Sequence, residues 1–338
     1  MNYSPERREA LRRLGLGVAA LPLAGAVLEQ ALAAPLVPWN TISGLTPLVT
    51  SQQQLYYVSK NISFFDPAIA GSSYRLQVGG MVDRPLTLTL ENLQALPAVS
   101  EYVTLSCISN PVGGNLIGNV LWKGVRLTEL LKRAGIQPGA TWMDTRAQDG
   151  YFESIPLAAV LRSDVILAYA INGQPLIREH GYPVRLLIPG RYGMKQPKWI
   201  TEITLSKGPQ PGIGYWEERG WSKNAITRTL SRIDVPQAGA RLKAGSPTWI
   251  AGIAWAGGRH IDAVQVSTDN GRTWQGAAVR PPLSPTSWVQ WALAWTPQAG
   301  AHTLVVRAVA EGKLQSEAPE QPLPDGASGW MAVPVQVS

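Results

Sequence analysis

The stretch LAYAINGQPLIREHGYPVRLLIPGRYGMKQPKW, residues 167–199, alternates apolar runs with a basic loop rich in glycine and proline. Its two apolar parts, ILAYAING and PVRLLIPG, read as short strands closed by turn residues. His180 falls just before the second strand, and Arg185, Arg191, Lys195 and Lys198 fall in and after it. Glycines let backbone amides approach a ligand, and Arg and Lys supply charge-assisted hydrogen bonds to phosphate. On composition the loop fits an anion cradle, and it equally fits a solvated connection between strands.

Upstream, EYVTLSCISNPVGG (101–114) is a β-patterned run that ends at Cys107, the one cysteine of the chain, just before a Pro and Gly turn. A single cysteine cannot form an internal disulfide. It is a buried core residue, an intermolecular link or a functional thiolate. There is no CxxCH, so no c-type haem is expected on the chain. The three histidines, 180, 260 and 302, are far apart and form no HExxH. An all-protein zinc site is therefore not expected. A metal at Cys107 would take most of its ligands from something other than protein.

The N-terminal segment SPERREALRRLGLGVAALPLAGAVLEQALAAPL carries arginines at 7, 8, 12 and 13, a short apolar run and a small-residue site at Ala31 and Ala33. It reads as a signal peptide over 1–33, cut after Ala33, with a final location in the periplasm or otherwise outside the cytoplasm. The apolar run is too short and too rich in glycine to span a bilayer, so no stable transmembrane span is expected in the mature chain. RREALR approximates the twin-arginine pattern, with Ala10 where an aromatic is commoner; that route exports folded proteins and so points to a cofactor loaded beforehand. GLGVAA (15–20) matches the front of a dinucleotide fingerprint but lacks the strand such a loop needs.

The 338 residues are 45% hydrophobic and 16% charged, which is globular, and suffice for two domains. The signal segment holds four arginines against three glutamates and accounts for +1 of the net +7, leaving +6 on the mature chain without a Lys/Arg block. Nucleic-acid binding is not expected from so dispersed a charge; an anionic ligand or an acidic redox partner is. Strand patterns from Tyr74, with a helix LTELLKRAG closed by Gly135, define a first domain over 34–235. From 236 to 338 short strands and turns predominate, including a hairpin predicted around Asn270 and Gly271. About 100 residues of this kind suit an immunoglobulin-like sandwich.

Taken in order, LYYVSKN, YRLQVGG, TLSCISN, WKGVRLTELLKRAG, DGYFESIPL, the opening stretch and AWAGGRHIDAVQVSTDNGRTW resemble segments of the sulfite oxidase family of molybdopterin enzymes across the mature chain. The resemblance implies an α+β molybdopterin-binding domain followed by the all-β sandwich, one molybdenum–molybdopterin per chain, and oxygen-atom transfer. It implies that Cys107 is the thiolate ligand of molybdenum, a soft donor suited to a metal already held by two dithiolene sulfurs. Ser59, Lys60 and Asn61 match the segment that touches the pterin, and Asp149 matches a weaker pterin contact. His180 and Arg185 match the HG(F/Y)PxR pair, and Gln196 to Lys198, helped by Lys195, match the loop closing on the pterin phosphate. Tyr151 matches the tyrosine beside the metal and substrate.

Vertebrate members place an arginine for sulfite soon after the cysteine, where this chain has Ser109, Asn110 and Pro111; Arg191 is the candidate replacement by position. The resemblance implies oxidation of sulfite or a related sulfur compound, with electrons passed to a separate carrier such as a cytochrome or quinone-linked protein. It also implies a homodimer formed through residues 236–338. The alternative is a reductase of S-oxides or N-oxides, like the methionine-sulfoxide reductase branch, which generally lacks the second domain. A remote alternative is a non-catalytic binding module.

Overall fold

The computed structural model describes residues 37–61, 65–209 and 213–338, so the signal segment 1–33 lies outside the described residues. Two five-stranded sheets build the N-terminal part. In the first, Leu86–Leu88, Leu76–Gly80, Ile200–Ser206, Trp142–Ala147 and Phe152–Pro156 lie side by side in that order. Only the pairing of Leu76–Gly80 with Ile200–Ser206 is parallel. In the second, Ala98–Ser106, Ile117–Arg126 and Ile166–Ile171 run antiparallel, and both Gln174–Pro175 and Arg185–Leu187 pair with Ile166–Ile171.

The run ILAYAI needs no polar face because all six of its residues are buried. The expected helix forms over Leu127–Ala134, with Leu127, Leu130, Leu131 and Ala134 facing the core at helical spacing. Gly135 ends it at φ 72°, a conformation that favours glycine. Its apolar stripe joins Val78, Met143, Leu167, Leu186 and Ile203 in a core between the sheets, which fixes where the strand ends and the following loops emerge.

The C-terminal part is a sandwich. Leu230–Val235, Thr248–Trp255, Val289–Trp295 and Ala278–Val279 form one sheet. Arg241–Leu242, Met331–Val337, Gly300–Ala310, Ile261–Ser267 and Gln275–Gly276 form the other, with Lys313–Leu314 added beside Gly300–Ala310. Along Val333–Val337 burial alternates, with Val333, Val335 and Val337 inward and Pro334 and Gln336 outward, as a one-sided sheet requires. Because Leu230–Val235 pairs with Thr248–Trp255, the sandwich begins before the expected boundary at 236.

The expected two-residue hairpin is also corrected. Asn270 and Gly271 do take positive φ, 61° and 82°. The paired strands, however, end at Ser267 and resume at Gln275. Asp269 makes this longer loop by accepting from Thr273 N at 2.8 Å and Thr273 Oγ1 at 2.6 Å.

The two parts share a core. Ile117 from the first packs with Ile253, Trp255 and Trp288 from the second. Trp288 donates its backbone N–H to Thr104 Oγ1 at 2.8 Å and its indole N–H to Leu48 O at 3.0 Å. Arg232 donates to Gly114 O at 2.9 Å, next to the Cys107 turn. Of the sandwich tryptophans, Trp291 is buried in the sandwich itself, whereas Trp255 and Trp288 serve this shared core. Trp288→Ala should lower the thermal midpoint of the whole chain by about 10 °C, since removing a buried Trp costs about 3–5 kcal/mol. Scanning calorimetry showing an unchanged midpoint would count against the shared core.

Candidate active site

A cavity of about 250 Å³ opens where the loops following the sheets converge. Cys107 lines it, one residue beyond Ala98–Ser106. The turn after it is held by its own polar groups: Cys107 N donates to Leu116 O at 2.9 Å, and Leu116 N donates to Asn110 Oδ1 at 2.9 Å. A Cβ at Gly114 would fall 2.4 Å from Asn110 Oδ1, so only glycine lets the loop close this tightly. The thiol, 9% exposed, has Ser109 Oγ at 3.0 Å.

Tyr151 lines the same cavity, and its hydroxyl donates to Met194 O at 2.5 Å. Burial first, then the carboxylates of Glu153 and Asp149, holds this phenol well above its ordinary pKa, so it is a protonated donor at neutral pH.

The basic residues divide into two groups. Arg185 and His180, both 4% exposed, line the cavity together with Lys198. His180 Nε2 lies 2.8 Å from Gln52 O, an arrangement that requires the proton on Nε2. Burial lowers His180 to about 4, so the ring is neutral. Arg185 reaches His180 O and Gln196 O at 3.3 Å each, while its Nε has no partner. Burial lowers it to about 10, which leaves it charged. Lys198 donates to Glu179 O at 2.9 Å and lies over Trp199 and Tyr57, and burial followed by Arg185 lowers it to about 7. Among the described residues no carboxylate forms an ion pair with Arg185 or Lys198. A buried guanidinium and a half-buried amine, neither with a carboxylate counter-ion, fit an anionic group.

Lys195 and Arg191 do otherwise than expected. Lys195, 1% exposed, is outside the cavity lining; Glu153 holds it at 2.7 Å and Glu217 on its other side. Two carboxylates from distant segments have consumed the charge that was read as part of the cradle. Arg191 is also outside the lining and donates to Asn224 O.

Ser59, Lys60 and Asp149 line the cavity, whereas Asn61 stands behind them, donating to Asp66 Oδ1 and Asp149 Oδ2 at 3.2 Å each. Lys60 is 4.0 Å from Asp149. Gln196 lines the cavity, but its amide ties the loop together, accepting from Ile188 N and donating to Arg191 O. The sequence reading missed an apolar wall in which Trp216 and Trp221 pack against Ile108, Tyr192 and Met194. Its signal in the sequence is the aromatic, irregular run IGYWEERGW (213–221).

The donor set tests the fit of a cofactor. Among the described residues no three His, Cys, Asp or Glu side chains converge on a metal site. One soft sulfur donor in the same cavity as a guanidinium without a carboxylate partner fits a metal that arrives with most of its ligands on an anionic organic group.

Such a cavity defines a site for a metal-bearing anionic cofactor, and family comparison gives its class. Residues 64–216 match the oxidoreductase molybdopterin binding domain and residues 222–322 the Mo-co oxidoreductase dimerisation domain. The mitochondrial sulfite oxidase of Drosophila melanogaster is 32% identical over 301 residues, covering 76% of this chain and 52% of that protein. The uncharacterized oxidoreductase YuiH of Bacillus subtilis is 35% identical over 150 residues, 44% of this chain and 73% of that protein. In fold, the chain superposes on the sulfane dehydrogenase SoxCD of Paracoccus pantotrophus with a TM-score of 0.76 at 24% identity, covering 95% of this chain and 93% of that one. The chain belongs to the sulfite oxidase family of molybdopterin-dependent oxidoreductases. It spans about half the length of the sulfite oxidases it matches.

Proposed function

We propose that the protein binds one molybdenum–molybdopterin per chain and oxidises sulfite or a related sulfur compound, passing electrons to a separate carrier such as a cytochrome or quinone-linked protein. The observation that carries this reading is buried Arg185, whose Nε has no partner, and half-buried Lys198, neither ion-paired to a carboxylate among the described residues, in the cavity that also holds the Cys107 thiol. When bound, the cofactor supplies oxygen-atom transfer and takes up two electrons. Cys107 would hold the metal. Arg185, Lys198 and neutral His180 would hold the pterin and its phosphate, with Lys60 and Asp149 beside them. Tyr151, protonated at neutral pH, donates a hydrogen bond to a developing negative charge at the reacting end. Trp216 and Trp221 exclude water from the thiol side.

A second reading, reduction of an S-oxide or N-oxide, is favoured by the apolar wall and by the absence of Arg191 from the lining. The test is to compare sulfite-dependent reduction of an artificial one-electron acceptor with dye-linked reduction of methionine sulfoxide by the metal-loaded protein. Oxidation alone is expected. Sulfoxide reduction alone would replace the first reading by the second.

The sandwich we read as immunoglobulin-like, from its two packed, largely antiparallel sheets, and as the contact of a homodimer, from its match to a dimerisation domain. Residues 1–33 we read as a twin-arginine signal directing a haem-free enzyme out of the cytoplasm. Among the described residues no helix is long and apolar enough to cross a membrane.

A further inference from the structure

Glu153 is fully buried, lies outside the cavity lining, and has one carboxylate oxygen, Oε2, without a partner. Its other oxygen binds Lys195 at 2.7 Å. Lys195 in turn binds Glu217, whose side chain is 7% exposed. Two carboxylates around one ammonium leave a net charge of −1 in a nearly dry site, a state that one added proton would neutralise. The segment bearing Glu217 is drawn onto this cluster: a Cβ on Gly214 would fall 1.8 Å from Glu153 Oε1. Glu153 lies two residues beyond Tyr151, and its charge acts on the Tyr151 hydroxyl and on Arg191 from the loop that carries Lys195. Tyr151 is the one member of this group that lines the cavity with Cys107.

We propose that Glu153, poised by Lys195 and Glu217, is the acceptor that takes protons out of the active-site cavity through the Tyr151 hydroxyl. The step rests on the oxidative reading above. In that reaction water gives its oxygen to the sulfur substrate, two electrons leave to the one-electron carrier, and two protons must leave as well. At the tyrosine oxygen one O–H bond breaks toward Glu153 Oε2 while another forms with one of the two protons released by the water that gives its oxygen to the substrate, so the phenol ends neutral and the carboxylate ends as the acid. The hydroxyl turns from Met194 O to Oε2 to do so. No electrons move in this step.

Burial, outweighing Lys195, and the neighbouring Glu217 raise Glu153 to about 7, which makes it an acceptor that loads and empties near neutrality. The acceptor must be ionised, so turnover rises with pH through about 7. Lys198 titrates in the same range, so the rate profile alone does not identify the group.

The experiment pairs that profile with an infrared pH titration of the metal-loaded protein, reading the carbonyl stretch of a protonated carboxyl. In the natural protein a carboxyl band should grow in as pH falls through about 7. Glu153→Gln should abolish the band and the pH limb, and lower kcat by about 100-fold with KM little changed. Glu217→Gln removes the charge that raises Glu153, so it should move both band and limb to lower pH. That variant keeps the test open if Glu153→Gln fails to fold. Retention of the limb in Glu153→Gln, or no carboxyl titrating near neutrality in the natural protein, overturns the proposal. The infrared arm does not depend on which sulfur compound is the substrate, so an error in the substrate reading shows separately as a missing sulfite rate.

Discussion

Cys107→Ser is expected to reduce turnover at least about 100-fold while leaving the fold and most of the pterin binding in place. Partners one shell away from a metal cost about 10–100-fold when removed, so a direct ligand sets that range as its lower bound. Serine is close in size but is a hard, weakly acidic donor, and molybdenum held by dithiolene sulfur favours thiolate. The fold should survive because the turn at 107 is fixed by backbone N–H groups and by Asn110, none of which the substitution removes. Pterin content should survive because Arg185, Lys198 and His180 are independent of the thiol. Turnover, molybdenum and pterin per chain are the quantities to measure, and full turnover in the serine variant would sink the ligand assignment.

Arg185→Met should act with opposite signs on the empty and loaded protein. In the empty site the guanidinium is buried, has no carboxylate partner among the described residues, and makes two long contacts to carbonyl oxygens and a contact over the Trp122 ring at 5.2 Å. Its fall from the ordinary arginine value to about 10 corresponds to a burial penalty of about 3 kcal/mol. Methionine of similar length removes that penalty, so the cofactor-free variant should melt at the same temperature or higher. The loaded protein loses a charge-assisted contact to the anionic group, worth about 1.5–3 kcal/mol, and should retain cofactor about 10–100-fold less tightly. Calorimetry on protein made without molybdate, together with molybdenum retention after dialysis, separates the two effects. Lower stability of the empty variant would show that Arg185 is a structural residue.

Much of this could be read from the chain because local chemistry wrote it there. Strand alternation followed by a Pro and Gly turn placed Cys107 at a strand end, and the spacing of Leu127, Leu130, Leu131 and Ala134 specified the helix. Lys195 shows where such reading stops. Its place in a basic loop is a local fact, but its two neutralising carboxylates come from 42 residues before and 22 residues after it. Glu153 carried a faint signal, a charged residue in the apolar strand FESIP. The turn at Asn270 had the right backbone conformation and the wrong length, because Asp269 bonds forward to Thr273 and holds a wider loop open. The domain boundary failed for a similar reason: Leu230–Val235 is an ordinary strand by sequence, and only its partner Thr248–Trp255 assigns it to the sandwich.

The most direct test of the central claim is X-ray absorption at the molybdenum edge on the purified protein and on Cys107→Ser. The account predicts about one molybdenum per chain and one fewer sulfur ligand in the serine variant than in the natural protein. An identical sulfur count in both, or a natural protein that never carries molybdenum, would contradict it.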